Sequence, residues 1–292
     1  MKHSESAGYS RRQFLSLTAA GAGAGVGLTG LKSLPAAIRP GQAPLKKIPI
    51  GVQLYSVREA AAKDLPGVLE AIAGMGYQGV EFAGYYGWES KPRELRKLLD
   101  DNGLKCCGTH TGLDTLTGDA LQATAQLHSI LGNRFLIVPS LSAKDIQEWR
   151  NLAETFNEIA EKARPLGMLV GYHAHAGDFQ KLGDSTPWEI FFDHTRKEIV
   201  MQLDTGNCMA GGGDPVAVLR KYPGRSVTVH LKEHGGPKGA VIGEGDMPWM
   251  EILEFCETRG GAEWYIVEHE TGQDPQGSIR GCIEGLRKMG RG

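Results

Sequence analysis

Imidazole, carboxylate and ammonium side chains follow short apolar runs throughout this 292-residue sequence. Six of the eight histidines beyond residue 37 lie at or just past such a run, namely His110, His173, His175, His230, His234 and His269. Glu81, Asp204, Lys232 and Glu268 have similar placements. Imidazoles and carboxylates that converge in an apolar environment are costly unless paired, and a divalent cation stabilises them together. The set predicts one metal ion, with Mn²⁺, Zn²⁺, Fe²⁺ and Co²⁺ all compatible.

The elements that must position these residues alternate between strand and helix from residue 50 onward. The predicted strands are Ile50–Tyr55, Gly79–Phe82, Lys105–His110, Phe135–Pro139, Leu169–His173, Val200–Asp204, Val227–Leu231 and Trp264–Glu268. The predicted helices are Leu65–Met75, Pro92–Asn102, Ala120–Leu131, Asp145–Leu166, Pro187–His194, Asp214–Lys221, Pro248–Arg259 and Ser278–Met289. The predicted helix stops are Gly76, Gly103, Gly132, Gly167 and Gly260.

Eight such units in one chain predict an α/β protein with a (β/α)8 TIM barrel. A doubly wound sheet is disfavoured, because no Gly-x-Gly-x-x-Gly turn follows the first predicted strand. In a barrel the carboxyl ends of all strands meet at one rim, where the chemistry is performed. The polar residues described above fall at that rim.

Several segments together resemble the sugar phosphate isomerase/epimerase branch of the xylose-isomerase-like TIM barrels. They are Gly51–Arg58, Gly79–Tyr85, Gly171–His175, Gln202–Asn207, Val229–Glu233, Gly243–Gly245 and Tyr265–Glu268. The resemblance spans about residues 50 to 289. It implies one divalent metal ion held by residues of strands five to eight, usually Glu, Asp, His and Glu.

Carried over by position, the resemblance implies Asp204, His230 and Glu268 as metal ligands, and strand five offers His173 in place of the usual glutamate. This departure disfavours a symmetric epimerisation that uses two facing carboxylates. Asn207 is a second departure, because relatives often have a histidine there.

The remaining candidates surround those ligands. Glu268 is the first candidate base, with His173 or His175 as the alternative because an imidazole titrates near neutral pH. Lys232 is predicted to bind or protonate a shifting or leaving oxygen. Glu81, His110 and Glu244 are predicted to bind substrate, whereas His128 and His194 are interpreted as structural.

The resemblance implies a carbohydrate substrate, on which the metal ion would promote enediolate formation by stabilising charge on the carbonyl oxygen. The first hypothesis is therefore a metal-dependent sugar isomerase or epimerase. The alternatives are a 3-keto-glycoside lyase or hydratase that uses the same metal site, and a non-catalytic sugar-binding barrel.

The first 37 residues predict a twin-arginine export signal. Ser10-Arg11-Arg12-Gln13-Phe14-Leu15 precedes a weakly apolar, glycine-rich run that is a poor membrane anchor. Residues 38–49 are interpreted as a linker and residues 50–292 as the barrel. The prediction is export by the twin-arginine translocase to the periplasm or another extracytoplasmic compartment, with cleavage of the signal left open.

Charge and cysteine content limit the partners. The formal net charge is -2, and beyond residue 37 there are 28 basic against 33 acidic residues, a charge of -5. A chain with this negative charge has no excess of basic residues to attract the phosphate backbone of a nucleic acid. The charge therefore also disfavours an apurinic endonuclease. The five cysteines lack metal-finger spacing, and their odd number in a long chain argues against a disulfide framework. A small carbohydrate is the expected partner, and the resemblance allows a homo-oligomer.

Overall fold

The computed structural model describes residues 46–292, which form eight parallel strands surrounded by helices. The strands are β1 (Ile50–Gln53), β2 (Gly79–Phe82), β3 (Lys105–His110), β4 (Phe135–Val138), β5 (Leu169–His173), β6 (Val200–Gln202), β7 (Thr228–Leu231) and β8 (Trp264–Val267). They pair in the order β6-β5-β4-β3-β2-β1-β8-β7. The predicted (β/α)8 TIM barrel is thereby confirmed. The predicted export signal lies outside the described residues.

The barrel closes between β6 and β7. The His230 backbone N–H donates to the Leu203 carbonyl at 2.9 Å, and the Met201 N–H donates to the Arg225 carbonyl at 3.0 Å. Asp204 and His230 form an isolated parallel bridge at this seam. Closure therefore places two of the predicted metal ligands beside each other.

Ten helices lie within the described residues. They are α1 (Arg58–Lys63), α2 (Leu65–Met75), α3 (Pro92–Asp101), α4 (Ala120–Leu131), α5 (Ile146–Ala163), α6 (Pro187–His194), α7 (Thr205–Ala210), α8 (Pro215–Lys221), α9 (Trp249–Phe255) and α10 (Pro275–Lys288). Aspartates cap the amino ends of α2, α5, α7, α8 and α10 by accepting backbone N–H groups. None of the helices in residues 46–292 is long and apolar enough to cross a membrane.

The interior of the barrel changes from apolar to polar along the strands. At the amino ends, Phe135, Ile137 and Val200 form a separate small core, with Trp264 packed against it. Above this layer the buried residues are polar, and they include Gln53, Glu81, Gln202, Thr228 and His230. The larger core, between sheet and helices, is apolar. Polar groups are thus confined to the part of the interior that leads to the carboxyl rim.

Two predicted strands end two residues earlier than expected, for the same physical reason. The strand predicted to reach Tyr55 stops at Gln53, whose side-chain oxygen accepts the Tyr55 N–H at 3.1 Å. The strand predicted to reach Asp204 stops at Gln202, because Asp204 is the amino-terminal cap of α7. In both cases a polar side chain captures a backbone donor and turns the chain out of the sheet.

Helices α1 and α7 are absent from the sequence prediction, and one predicted helix stop is wrong. The sequence of α7, Thr-Gly-Asn-Cys-Met-Ala, has weak helix propensity, so tertiary contacts must stabilise it. The predicted stop at Gly260 is wrong, because Cys256–Gly260 form a wider π-type turn after α9. The left-handed residue that ends this segment is Gly261, with φ of 72°.

Candidate metal centre

Four predicted ligands converge at the carboxyl rim. His173 ends β5, Asp204 follows β6, His230 lies in β7 and Glu268 follows β8. Each offers one ligand atom, and these four atoms lie within 4.8 Å of one another. All four residues are buried, with exposures of 6% or less. Two imidazoles and two carboxylates form a mixed nitrogen and oxygen set of the kind that binds divalent transition metals.

Asp204 shows that this cluster fits a cation. Its Oδ1 accepts the Asn207 N–H at 2.7 Å as the cap of α7, which fixes the orientation of the carboxyl group. Its Oδ2 is buried and has no hydrogen-bond partner among the described residues. Burial raises the pKa of Asp204 to about 7, although the nearby Lys232 ammonium opposes the shift. An unsatisfied buried carboxylate oxygen costs about 1–3 kcal/mol or more, and a metal ion would remove that cost.

His230 lies between two carboxylates. Its Nδ1 is 2.6 Å from Glu268 Oε2 and 4.0 Å from Asp204 Oδ2, and its Nε2 is 2.6 Å from Glu81 Oε2. Burial opposes the charged imidazole, but Glu81 and Glu268 outweigh it and raise the pKa of His230 to about 10. The Nδ1 atom faces the other ligands, so a metal ion would replace the proton on Nδ1 while Nε2–H stays with Glu81.

Glu81 lies beneath the ligands rather than in the mouth. Its side chain is fully buried and accepts hydrogen bonds from Gln53 Nε2 at 2.8 Å and Gln202 Nε2 at 2.9 Å, in addition to His230. Burial would raise the Glu81 pKa, but His110 and His230 hold it well below its usual range. Its predicted contact with substrate is therefore corrected: the carboxylate is a buried counter-charge that orients the groups above it.

Gln202 connects Glu81 to His173. The Gln202 amide donates from Nε2 to Glu81 and to Thr228 Oγ1, at 3.1 Å, so its Oε1 faces the imidazoles. That oxygen lies 3.1 Å from His173 Nδ1, which must then carry the proton and leave Nε2 free as a ligand. Burial, together with the neighbouring imidazoles, holds the pKa of His173 well below its usual range.

His110 stands beside the cluster. Its Nε2 lies 2.8 Å from Gln202 Oε1 and 3.2 Å from Glu81 Oε2, and its ring stacks on that of His230 with centroids 5.3 Å apart. His110, His173 and His230 also form a group that could hold a metal ion. The four-residue set is the better candidate because it includes the unsatisfied Asp204 oxygen. The partly exposed His110 ring stays a predicted substrate contact.

Lys232 and His175 border the mouth above the ligands. Lys232 Nζ forms an ion pair with Glu270 and lies 3.7 Å from Glu268 Oε1. Burial lowers the Lys232 pKa, but Asp204, Glu268 and Glu270 outweigh it and keep the ammonium charged. The exposed His175 ring packs edge-on against His173 at 5.0 Å, and burial is the main cause of its lowered pKa. A neutral imidazole and a charged ammonium therefore border the same opening.

The other predicted residues lie elsewhere. Glu244 is exposed, and its Oε2 accepts the Val241 N–H at 3.0 Å within its own loop. The structure does not bring it to the four-residue cluster. His128 is hydrogen-bonded to Tyr85 and Asn133, and His194 to the Ile190 carbonyl, so both have the contacts of structural residues.

Three residues that shape this rim were not predicted from the sequence, namely Gln53, Gln202 and Glu233. Gln53 and Gln202 are the last residues of β1 and β6, and a glutamine in an otherwise apolar strand was the signal that could have identified them. Glu233 folds the loop after β7, where it accepts the Gly243 N–H at 2.7 Å and Trp249 Nε1–H at 2.9 Å.

Comparison with known proteins agrees with this architecture. Residues 69–289 match the family described as "Xylose isomerase-like TIM barrel". The chain belongs to this family. The sugar phosphate isomerase/epimerase of Parabacteroides distasonis has a similar structure, with a TM-score of 0.73 and 23% identity, over 87% of this chain and 98% of that one. At that identity the likeness shows the fold alone.

Among curated proteins, this chain is similar to inosose dehydratases. It is 32% identical to that of Clostridium tetani over 175 residues, which are 51% of this chain and 56% of that protein. The match therefore spans little more than half the length of that relative. The inosose dehydratase of Histophilus somni is 29% identical over 248 residues, 68% of this chain and 80% of that protein.

Proposed function

We propose that this protein is a divalent-metal-dependent lyase that removes the proton beside the carbonyl of a polyhydroxylated ketone and eliminates a group from the adjacent carbon. The buried set of His173, Asp204, His230 and Glu268, with its unsatisfied Asp204 oxygen, carries the proposal. The similarity to inosose dehydratases supports elimination as the outcome. Mn²⁺, Zn²⁺, Fe²⁺ and Co²⁺ all suit the donor set.

When bound, the metal ion would polarise the substrate carbonyl and stabilise negative charge on its oxygen. The protein groups divide the remaining work. Both Glu268 oxygens are engaged, Oε2 by His230 and Oε1 by the Lys232 ammonium, which suits a ligand better than a free base. His175 is exposed in the mouth, so we assign proton abstraction to its imidazole. Lys232 stabilises the departing oxygen and supplies its proton.

The residue at the end of β5 favours elimination over epimerisation. A symmetric epimerase needs bases on both faces of the reacting carbon, whereas elimination needs one base and a way for the leaving group to depart. His173 is fully engaged, through Nδ1–H to Gln202 and with Nε2 among the ligands. An isomerase or epimerase is the second candidate, which the family membership supports.

Metal content tests the site. We expect the purified protein to hold about one equivalent of a divalent metal, and Asp204→Ala to lose it. Asp214→Ala is the matched control, because Asp214 caps α8 as Asp204 caps α7 but lies outside the cluster. Elemental mass spectrometry on both variants, after loading with each of the four metals, gives the answer. If Asp204→Ala and the control held the same amount of metal per protein, the proposed site would be wrong.

Proton exchange in D₂O tests the reaction. Metal-loaded protein is incubated with an inosose, a 3-keto-glucoside and a ketose, and the products are followed by NMR. An unsaturated ketone with release of water or an alcohol supports the lyase, and Glu268→Gln and His175→Gln should each lose most of the rate. An isomerised or epimerised sugar would replace the lyase by the second candidate. Binding without exchange would indicate the non-catalytic barrel.

Export is part of the same proposal. The Ser10-Arg11-Arg12-Gln13-Phe14-Leu15 segment supports secretion of the folded, metal-loaded protein by the twin-arginine pathway to an extracytoplasmic compartment. The translocase contact and a homo-oligomer remain predictions.

A further inference from the structure

A cleft of about 490 Å³ lies between the segments that follow β1 and β8. One wall is the segment after β1, with Arg58, Glu59 and Lys63, and the other is the segment after β8, with Glu270, Gln273 and Gln276. Both segments follow the carboxyl ends of neighbouring strands, so the cleft lies on the rim that carries the metal ligands. Its volume falls within the roughly 300–1,000 Å³ of small-molecule sites.

One ion pair connects the cleft with the candidate metal centre. Glu268 is a candidate ligand, and Glu270, two residues later, lines the cleft. Lys232 joins them, because its ammonium is paired with Glu270 and lies 3.7 Å from Glu268 Oε1. A molecule held at the metal centre and extending into the cleft would therefore pass Lys232.

The groups that line the cleft suit a neutral polyhydroxylated ring. Two cations, Arg58 and Lys63, and two carboxylates, Glu59 and Asp274, line the cleft, and the Glu270 charge is balanced by Lys232. An anion would meet carboxylates as well as cations there. The side-chain amides of Gln273 and Gln276 form no hydrogen bond with residues 46–292, so they can bind hydroxyl groups. Arg58 is held in place by the Tyr55 carbonyl, at 2.9 Å, and by the Tyr55 ring.

We propose that this cleft binds the leaving half of the substrate, a second sugar ring, so that the preferred substrate is a keto-glycoside of two or more rings rather than a free monosaccharide. The proposal rests on the proposed function, because it assigns the keto ring to the metal centre. The glycosidic oxygen between the two rings then falls beside Lys232, between Glu268 and Glu270.

The reaction balances without an oxidant or added water. In a 3-keto-glycoside the base takes the proton from C2, and the electron pair of that C–H bond forms the C1=C2 double bond. The C1–O bond breaks, and its electron pair leaves with the glycosidic oxygen, which takes a proton from Lys232. The products are a 1,2-unsaturated 3-ketone and the second sugar with a free hydroxyl group. The base then releases its proton to solvent and Lys232 takes one up from solvent, so both groups return to their starting states.

The test uses metal-loaded full-length protein and four probes: cellobiose, methyl β-glucoside, and the 3-keto derivative of each. Calorimetry measures binding of the two unoxidised sugars, and NMR measures turnover of the two ketones. We expect the two-ring probes to bind and react at least about tenfold better, the effect of one or two hydrogen bonds. The Gln273→Ala/Gln276→Ala double variant should bring this ratio close to one.

The control variant is Gln147→Ala, an exposed glutamine on α5, which should keep the wild-type ratio. A ratio near one in the wild type, or a ratio that the double variant leaves unchanged, overturns the cleft proposal even if both ketones are turned over. A binding ratio that the double variant removes supports the cleft even if neither ketone reacts. In that last case elimination from these keto-glycosides fails and the subsite stands.

Discussion

The chain of contacts from Glu81 through Gln202 to His173 predicts that a buried residue without metal contact controls metal affinity. Every group around the Glu81 carboxylate donates to it, including Gln53, Gln202 and His230. In Glu81→Gln, the new amide places an NH₂ group where only an acceptor fits. The least costly place for it is opposite Gln202, because the other carboxylate oxygen receives both Gln53 and His230.

Gln202 must then rotate its own amide to offer Oε1 to the new NH₂ group. After that rotation its NH₂ faces His173 Nδ1, which can no longer donate, so the His173 proton moves to Nε2 and blocks the ligand atom. Loss of such an orienting partner typically lowers metal affinity by about 10–100-fold. That range corresponds to about 1.4–2.8 kcal/mol, close to the roughly 1–3 kcal/mol of one unsatisfied buried donor.

The assay is competitive titration of metal-free protein with a chelator of known affinity. Glu70→Gln, an exposed change of the same type on α2, should bind metal as the wild type does. The double variant Glu81→Gln/Gln202→Glu should recover at least about tenfold, because the carboxylate introduced at position 202 would accept from both His173 and the amide introduced at position 81. Wild-type affinity in folded Glu81→Gln would refute this reasoning, as would a double variant no better than the single one.

Three further predictions follow from other parts of the molecule. Burial raises the pKa of Asp178 to about 6, above roughly 3.9 in an unfolded chain. The contribution of the protonated carboxyl group to stability is therefore complete below about pH 4 and is lost as the pH rises through 6. Asp178→Asn should flatten the fall of the free energy of unfolding with pH, as measured by urea unfolding between about pH 4 and 8. Arg291 donates two hydrogen bonds of 2.7 Å to Glu257. Glu257→Gln should therefore lower the free energy of unfolding by about 1–3 kcal/mol, whereas Glu254→Gln, a change at an exposed position, should leave it unchanged. Arg11→Lys/Arg12→Lys should abolish export in cell fractionation, and normal export of that variant would contradict the twin-arginine prediction.

The order of elements was predictable because the period of the apolar residues changes between strand and helix along the chain. Helix ends such as Gly76 and Gly132 were predictable because each adopts a left-handed conformation that glycine tolerates, with φ of 93° and 74°. Gly260 failed as a stop because it is itself the last residue of the π-type turn, and the left-handed residue is Gly261. Local pattern cannot reveal such a shift.

The position of the metal ligands in the candidate site was also predictable from the sequence. Strand ends placed His173, Asp204, His230 and Glu268 at one rim, since all strands of a parallel barrel point the same way. The sequence could not show that Glu81 lies beneath His230 rather than in the mouth. That depends on the stagger between β2 and β7, which are not neighbours in the barrel. Gln53 and Gln202, by contrast, could have been identified as glutamines that end otherwise apolar strands.

The His173 ligand also affects where positive charge remains in the site. Two carboxylates, Asp204 and Glu268, match the charge of a divalent cation, so the ligand set would be neutral when loaded. Lys232 is then balanced by Glu270, which lies on the cleft side, and not by a third ligand carboxylate. A glutamate at the end of β5 would add a negative charge to the ligand set and draw the ammonium inward. With histidine there, the ammonium stays at the border between the metal centre and the cleft, where elimination needs a proton for the departing oxygen.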